Sequence, residues 1–237
     1  MRPLGARGSV RFAGPPGWRR IPPITRGTLV LTAVVYLAGL FRLFPVDVLT
    51  AVPRAIVPGF ELWRLVTYPL VNVGIIAVLF DLLLLWSFGS ELEPQWGSKS
   101  YALFLLFATV TGGILGVAAV FAIGGEFGAG YGFAGPITAV IFAWMLEAPN
   151  APTSFFGVLP MTRKGFALIA LVVVAFGEIE QTHSLARLVF VLGGIPAAWL
   201  WTWRRKLRAL PYAIREPRMF RRRRRFRVVR DEDERIH

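Results

Sequence analysis

Six apolar stretches separated by polar turns constrain this chain more than any other feature. Crossing a hydrocarbon layer of about 30 Å takes roughly 20 apolar residues in helical conformation. Lipid offers no partner to an open backbone, so only helices or closed barrels can span it. The apolar runs predict spans at 25–44, 73–89, 101–123, 133–146, 165–176 and 184–203. Those at 133–146 and 165–176 are short, which suits helices that begin or end in a protein-lined cavity. Of 237 residues, 55% are apolar and 17% charged, with mean hydropathy +0.56, more than a soluble core of this size requires. The expected fold is all-α, an integral membrane six-helix bundle at 25–203. A basic segment, 1–24, precedes it and a basic tail, 204–237, follows.

Charge placement orients the bundle. The first 27 residues carry six arginines and no acid, and the tail from Arg204 carries fourteen basic residues against five acids. Short loops rich in Lys and Arg stay cytoplasmic, so both termini are expected inside and the number of spans even. Lys99, Arg163 and Lys164 then fall inside, and Glu126, Glu178 and Glu180 outside. Arg42, Arg54 and Arg64, in the first outer loop, run against the rule. No small-residue cleavage site follows the first apolar run, so the N-terminus does not read as a cleavable signal. With no organelle signal seen, the basic ends favour a bacterial inner membrane. The chain has no cysteine and two histidines, His183 and His237, so neither a disulfide nor a thiolate or histidine metal cluster is expected, and no cofactor.

Local patterns place other residues. Thr25, after the pair Pro22-Pro23, is a candidate N-cap. Gly112-x-x-x-Gly116 and Gly193-x-x-x-Ala197 are small-residue faces on which helix backbones approach closely. Pro136 sits just inside a helix start, where its missing N–H costs nothing. Trp63 and Arg64 suit a membrane interface, the indole at headgroup level and the guanidinium on backbone carbonyls or phosphates; a generic anchor is the alternative. Asp81 falls mid-span, where an ionisable group is costly and a functional candidate facing the interior; a plain internal tie is the alternative. In the tail, Arg221, Arg222, Arg223, Arg224 and Arg225 form a basic stripe expected to lie on anionic membrane lipid. Nucleic acid, met through phosphate contacts, is the disfavoured partner.

Several local patterns resemble the rhomboid superfamily over 22–203. Trp63-Arg64-Leu65-Val66-Thr67 looks like the Trp-Arg motif after the first span. Leu85-Trp86-Ser87-Phe88-Gly89-Ser90-Glu91-Leu92-Glu93 resembles the end of the family's second helix. Tyr131-Gly132-Phe133-Ala134-Gly135-Pro136 lies where the Gly-x-Ser-Gly nucleophile motif would stand. Phe155-Phe156-Gly157-Val158-Leu159-Pro160-Met161 is similar to the segment before the fifth helix, and Leu192-Gly193-Gly194 to the glycine pair of the sixth. Pro22-Pro23-Ile24-Thr25-Arg26 resembles the opening of derlins, the non-proteolytic branch.

The resemblance implies a serine–histidine dyad in active members, with oxyanion donors on the second helix. At those positions this chain reads Ala134 for the serine, Val191 for the histidine, and Ala77 and Asp81 for the donors. A methyl group cannot attack a carbonyl, and valine has no lone pair to accept a proton. Gly132, Gly135, Gly193 and Gly194, with Trp63, Arg64 and Asp81, remain structural or binding candidates. Thr138 shares the face of Ala134. His183 and Ser184, being adjacent, do not face each other on a helix. Ser87 and Ser90 lie far along span two from any histidine. The expectation is a pseudoprotease, not an enzyme, that binds transmembrane helices of client membrane proteins. Two alternatives stay open: an intramembrane serine protease with a displaced dyad, and a lipid or small-molecule carrier using the cavity around Asp81.

Overall fold

The computed structural model describes residues 21–123, 129–155, 159–182 and 185–207. Helices stand at all six predicted places. Four stretches, Pro23–Leu40, Ile75–Trp96, Ser98–Ile123 and Ala186–Leu207, are long and apolar enough to cross a membrane. Ala134–Glu147 is apolar but has 14 residues. In chain order the helices are α1 (Pro23–Leu40), α2 (Pro53–Ile56), α3 (Arg64–Thr67), α4 (Ile75–Leu84), α5 (Ser90–Trp96), α6 (Ser98–Ile123), α7 (Ala134–Glu147), α8 (Arg163–Thr182) and α9 (Leu185–Leu192). A π-helical turn, Leu85–Gly89, joins α4 and α5 into one rod. After a turn at Gly193, the helix begun by α9 resumes and runs to Leu207.

Several expected boundaries move for physical reasons. Span one stops at Leu40, short of residue 44, because Arg42 takes a left-handed φ of 53° that no helix continues. The second rod runs past Gly89: that glycine leaves room for Thr25 and Tyr101, where a Cβ would meet the Tyr101 hydroxyl at 2.7 Å. It is a packing residue and not a helix stop. α8 is 20 residues long and runs beyond the expected apolar stretch at 165–176, since the polar Glu178–Gln181 stretch consists largely of good helix formers. The all-α expectation gains one exception, an antiparallel pair of strands β1 (Pro152–Phe155) and β2 (Leu159–Thr162) ahead of α8.

α6 is the central post. Its buried residues Tyr101, Phe104, Leu105, Ala108, Thr109, Gly112, Gly113, Gly116, Val117 and Val120 recur every three or four positions, one helical face. α9 lies along that face, and a Cβ on Gly193 would come within 2.9 Å of the Gly112 Cα. The opposite surfaces stay apolar and uncovered: Val30, Val34 and Leu37 on α1, Ile75, Ile76 and Leu79 on α4, Leu168, Val172 and Val173 on α8. Water would penalise such a surface; lipid chains accept it.

At one end the bundle closes on aromatic and ionic contacts. Phe88 meets Trp144 edge-on at 4.9 Å, and Trp96 meets Phe104 at 5.0 Å. The Trp96 indole donates to Glu147 at 2.8 Å. Arg163 pairs with Glu91 and covers the Trp144 ring. Glu93, 1% exposed, sits beneath them at the start of α1. It accepts from the amides of Ile24 and Thr25 at 3.0 and 2.8 Å, and from the hydroxyls of Thr25 and Ser98 at 2.8 and 2.7 Å. The first amides of a helix have no partner within it, and its N-terminus favours negative charge. The expectation of Thr25 as N-cap is thereby corrected. Pro22 holds that position without a side-chain bond, and the capping carboxylate comes from another helix.

Candidate functional site

The connection between α1 and α4 is folded onto itself by Arg64. Its guanidinium donates to the carbonyls of Asp47 at 2.6 Å and Thr50 at 2.9 Å, and pairs with Glu61. The Thr67 hydroxyl donates to the Leu49 carbonyl at 3.0 Å. Backbone carbonyls, one of the two kinds of partner expected for Arg64, are bound here. Its burial also explains why a cation stands in a loop where the charge rule disfavours one. Trp63 beside it is 54% exposed, as an interfacial indole would be.

The same connection aims the start of α7. Ala51 and Gly130 exchange both backbone hydrogen bonds at 2.8 Å. Gly132 takes φ +99°, a region that favours glycine, and its amide donates to the Val71 carbonyl at 2.7 Å. The Asn72 side-chain oxygen then accepts from the Phe133 amide at 3.2 Å, satisfying one of the donors that the start of α7 leaves open. Ala134 is the first residue of that helix.

Around Ala134 the backbone itself makes the contacts. A Cβ on Gly135 would meet the Phe190 carbonyl oxygen at 2.8 Å, and one on Gly194 would meet Ala139 at 2.9 Å and the Gly135 carbonyl at 3.0 Å. α7 and α9 therefore touch main chain to main chain immediately beside Ala134 and Val191. The Phe190 ring fills the hollow left by Gly116 and Gly130, edge-on to Tyr68 at 5.9 Å. The buried Tyr68 hydroxyl donates to the Thr109 carbonyl at 3.2 Å. Burial pushes its pKa up from the usual phenol range.

The structure thus brings Gly135 and Gly194 into contact, with Ala134 next to Gly135 and Val191 next to Phe190 in the chain, and Gly193 packed against Gly112. Val191 is buried. Thr138 is on the face of Ala134, but its hydroxyl donates to the Ala134 carbonyl at 2.7 Å, a bond within the helix. Ala77 and Asp81 stand apart on α4, Ala77 exposed and Asp81 half-buried. α4 packs against both α1 and α7 and leaves much of the rest of its surface exposed. His183, Ser184, Glu126, the segment 156–158 and Arg221 to Arg225 lie outside the described residues, as do 1–20. Among the described residues there is no histidine.

Sequence reasoning missed Tyr68, Asn72, Phe190 and Arg187. Arg187 donates to the carbonyls of Ala129 at 3.3 Å and Tyr131 at 3.2 Å and covers the Tyr131 ring at 3.6 Å. A cation inside an apolar run was the available signal for it. For Asn72 the signal was an amide just ahead of a glycine-led helix.

A bundle with an apolar exterior, a buried motif-bearing helix start and a glycine-packed last helix is a multi-pass integral membrane protein of rhomboid-like class. The chain belongs to the family described as "Eukaryotic integral membrane protein (DUF1751)", whose model matches residues 26–208. It is also 41% identical over 54 residues to the rhomboid protease GluP of Bacillus subtilis (strain 168). That match covers 23% of this chain and 11% of the relative. The eukaryotic description of the family runs against the expected bacterial inner membrane, and what stands is an integral membrane protein with several apolar helices.

Proposed function

We propose that the chain is a catalytically inactive rhomboid-like protein that binds transmembrane segments of other membrane proteins. One observation carries the reading. Where a serine and a histidine would work together, Ala134 and Val191 stand beside a contact of Gly135 with the Phe190 carbonyl, and the Phe190 ring fills the adjoining hollow. A nucleophile needs a hydroxyl or thiol within reach of a base, and these positions supply neither. The exposed apolar faces of α4 and α8 offer surfaces on which another apolar helix can pack.

In this reading the bundle crosses the membrane six times with both termini inside, and the segment Arg221 to Arg225 rests on anionic lipid. Purified full-length protein in liposomes should leave a rhomboid reporter substrate intact and should not react with a fluorophosphonate probe. It should retain client membrane proteins on gentle solubilisation. The partial match to a rhomboid protease favours the second reading, a displaced dyad. Probe labelling of a membrane-domain serine, lost when that serine is changed to alanine, would establish it and sink the first.

A further inference from the structure

A cleft of about 420 Å³ opens where α1 ends and α4 begins, walled by Tyr36, Gly39, Asp47, Asn72, Gly74 and Tyr131 among others. Its size falls within the roughly 300–1,000 Å³ typical of sites for small molecules. It is remote in character from the Ala134 neighbourhood, being open where that is filled, and it does not involve Asp81.

Three properties define what it would hold. First, it lies where the candidate membrane spans Pro23–Leu40 and Ile75–Trp96 end and begin, which in the topology proposed above is the level of the lipid headgroups. Its α1 wall includes Val35 and Leu40, and Val34, Leu37 and Phe41, on or just beyond the same helix, are exposed and apolar, a surface that suits acyl chains. Second, among its lining residues Asp47 alone carries a formal charge. The Asp47 carbonyl is taken by Arg64 and by the Thr50 hydroxyl, whereas its carboxylate has no hydrogen bond or ion pair to any described residue. Third, Tyr36 and Tyr131 line the same space, and one face of Tyr131 is already covered by the Arg187 guanidinium. A carboxylate next to aromatic rings attracts an ammonium group and repels a purely anionic one.

We propose that this cleft binds the ammonium-bearing headgroup of a zwitterionic phospholipid, with the ammonium on Asp47 and the Tyr36 ring and the acyl chains along α1. The test uses full-length protein delipidated in detergent, read by native mass spectrometry and by thermal shift. The titrants are phosphatidylethanolamine, phosphatidylcholine, phosphatidylglycerol and free phosphoethanolamine. Wild type should bind the two zwitterionic lipids in preference to phosphatidylglycerol, and Asp47→Asn should weaken that binding by about tenfold while leaving phosphatidylglycerol unchanged. The structural bonds at this residue use its main chain, so the variant should unfold with wild type when lipid-free. Leu40→Trp, on an exposed position at the cleft wall, should reduce zwitterionic lipid binding without touching the charge. Equal affinity of wild type for phosphatidylglycerol, or unchanged binding by Asp47→Asn, overturns the proposal. Free phosphoethanolamine binding as tightly as its diacyl lipid would overturn the lipid as occupant.

Discussion

Gly135 lies against the carbonyl of Phe190, so close that a methyl on Gly135 would come within 2.8 Å of that oxygen. The start of α7 and the body of α9 are thereby held at a separation only a hydrogen atom permits. Gly135→Val should lower stability by about 1–3 kcal/mol, because neither backbone can yield without moving a packed helix. Gly27, on α1, has nothing within 4 Å of a Cβ, and Gly27→Ala should be neutral or slightly stabilising. Thermal or SDS unfolding of the two variants checks this, and equal losses would show that the contact carries no load.

Glu93 binds four donors from two segments, the start of α1 and the start of α6. Glu93→Ala leaves the Ile24 and Thr25 amides and two hydroxyls without partners in a buried site, and should cost about 2–4 kcal/mol. Glu93→Gln retains one acceptor oxygen and should cost clearly less. The same unfolding measurement ranks them; Gln no better than Ala would mean that charge, not hydrogen bonding, dominates.

Sidedness can be read by cysteine labelling, since the native chain has no cysteine to remove. Phe60 is 78% exposed in the connection after α1, and Lys99 and Lys164 are exposed at the starts of α6 and α8. With six crossings and inward termini, Phe60→Cys should react with an impermeant maleimide added outside, and Lys99→Cys and Lys164→Cys only after permeabilisation. The reverse pattern would refute the proposed orientation.

Asp81 separates tie from function by two substitutions. Asp81→Asn preserves size and polarity and should cost within about 1 kcal/mol, and Asp81→Leu should cost more if the carboxyl group ties the bundle. Should Asp81→Asn keep its stability yet lose client co-purification, the carboxyl group serves the binding site. Wild-type behaviour of both variants would remove Asp81 from both roles.

The helices were legible because apolar runs of membrane length leave few alternatives. Their ends were less so. Gly89 reads as a stop in sequence and is a packing gap in space, and the polar end of α8 is helical although hydropathy falls away. The neighbourhood of Ala134 and Val191 could be located from motif order alone. What filled it could not, because Tyr68 and Phe190 meet there only once the α1–α4 connection and α9 are placed. Glu93 was visible as part of a motif, but nothing local showed that its partners lie 68 and 69 residues upstream.

That distance bears on how the protein is made. Ile24 and Thr25 are synthesised before the carboxylate that completes their helix, which follows 68 or more residues later. Until the chain has passed Glu93, those two amides lack their native partner. The N-terminal cap of α1 is thus completed only by the rod that follows it in the chain.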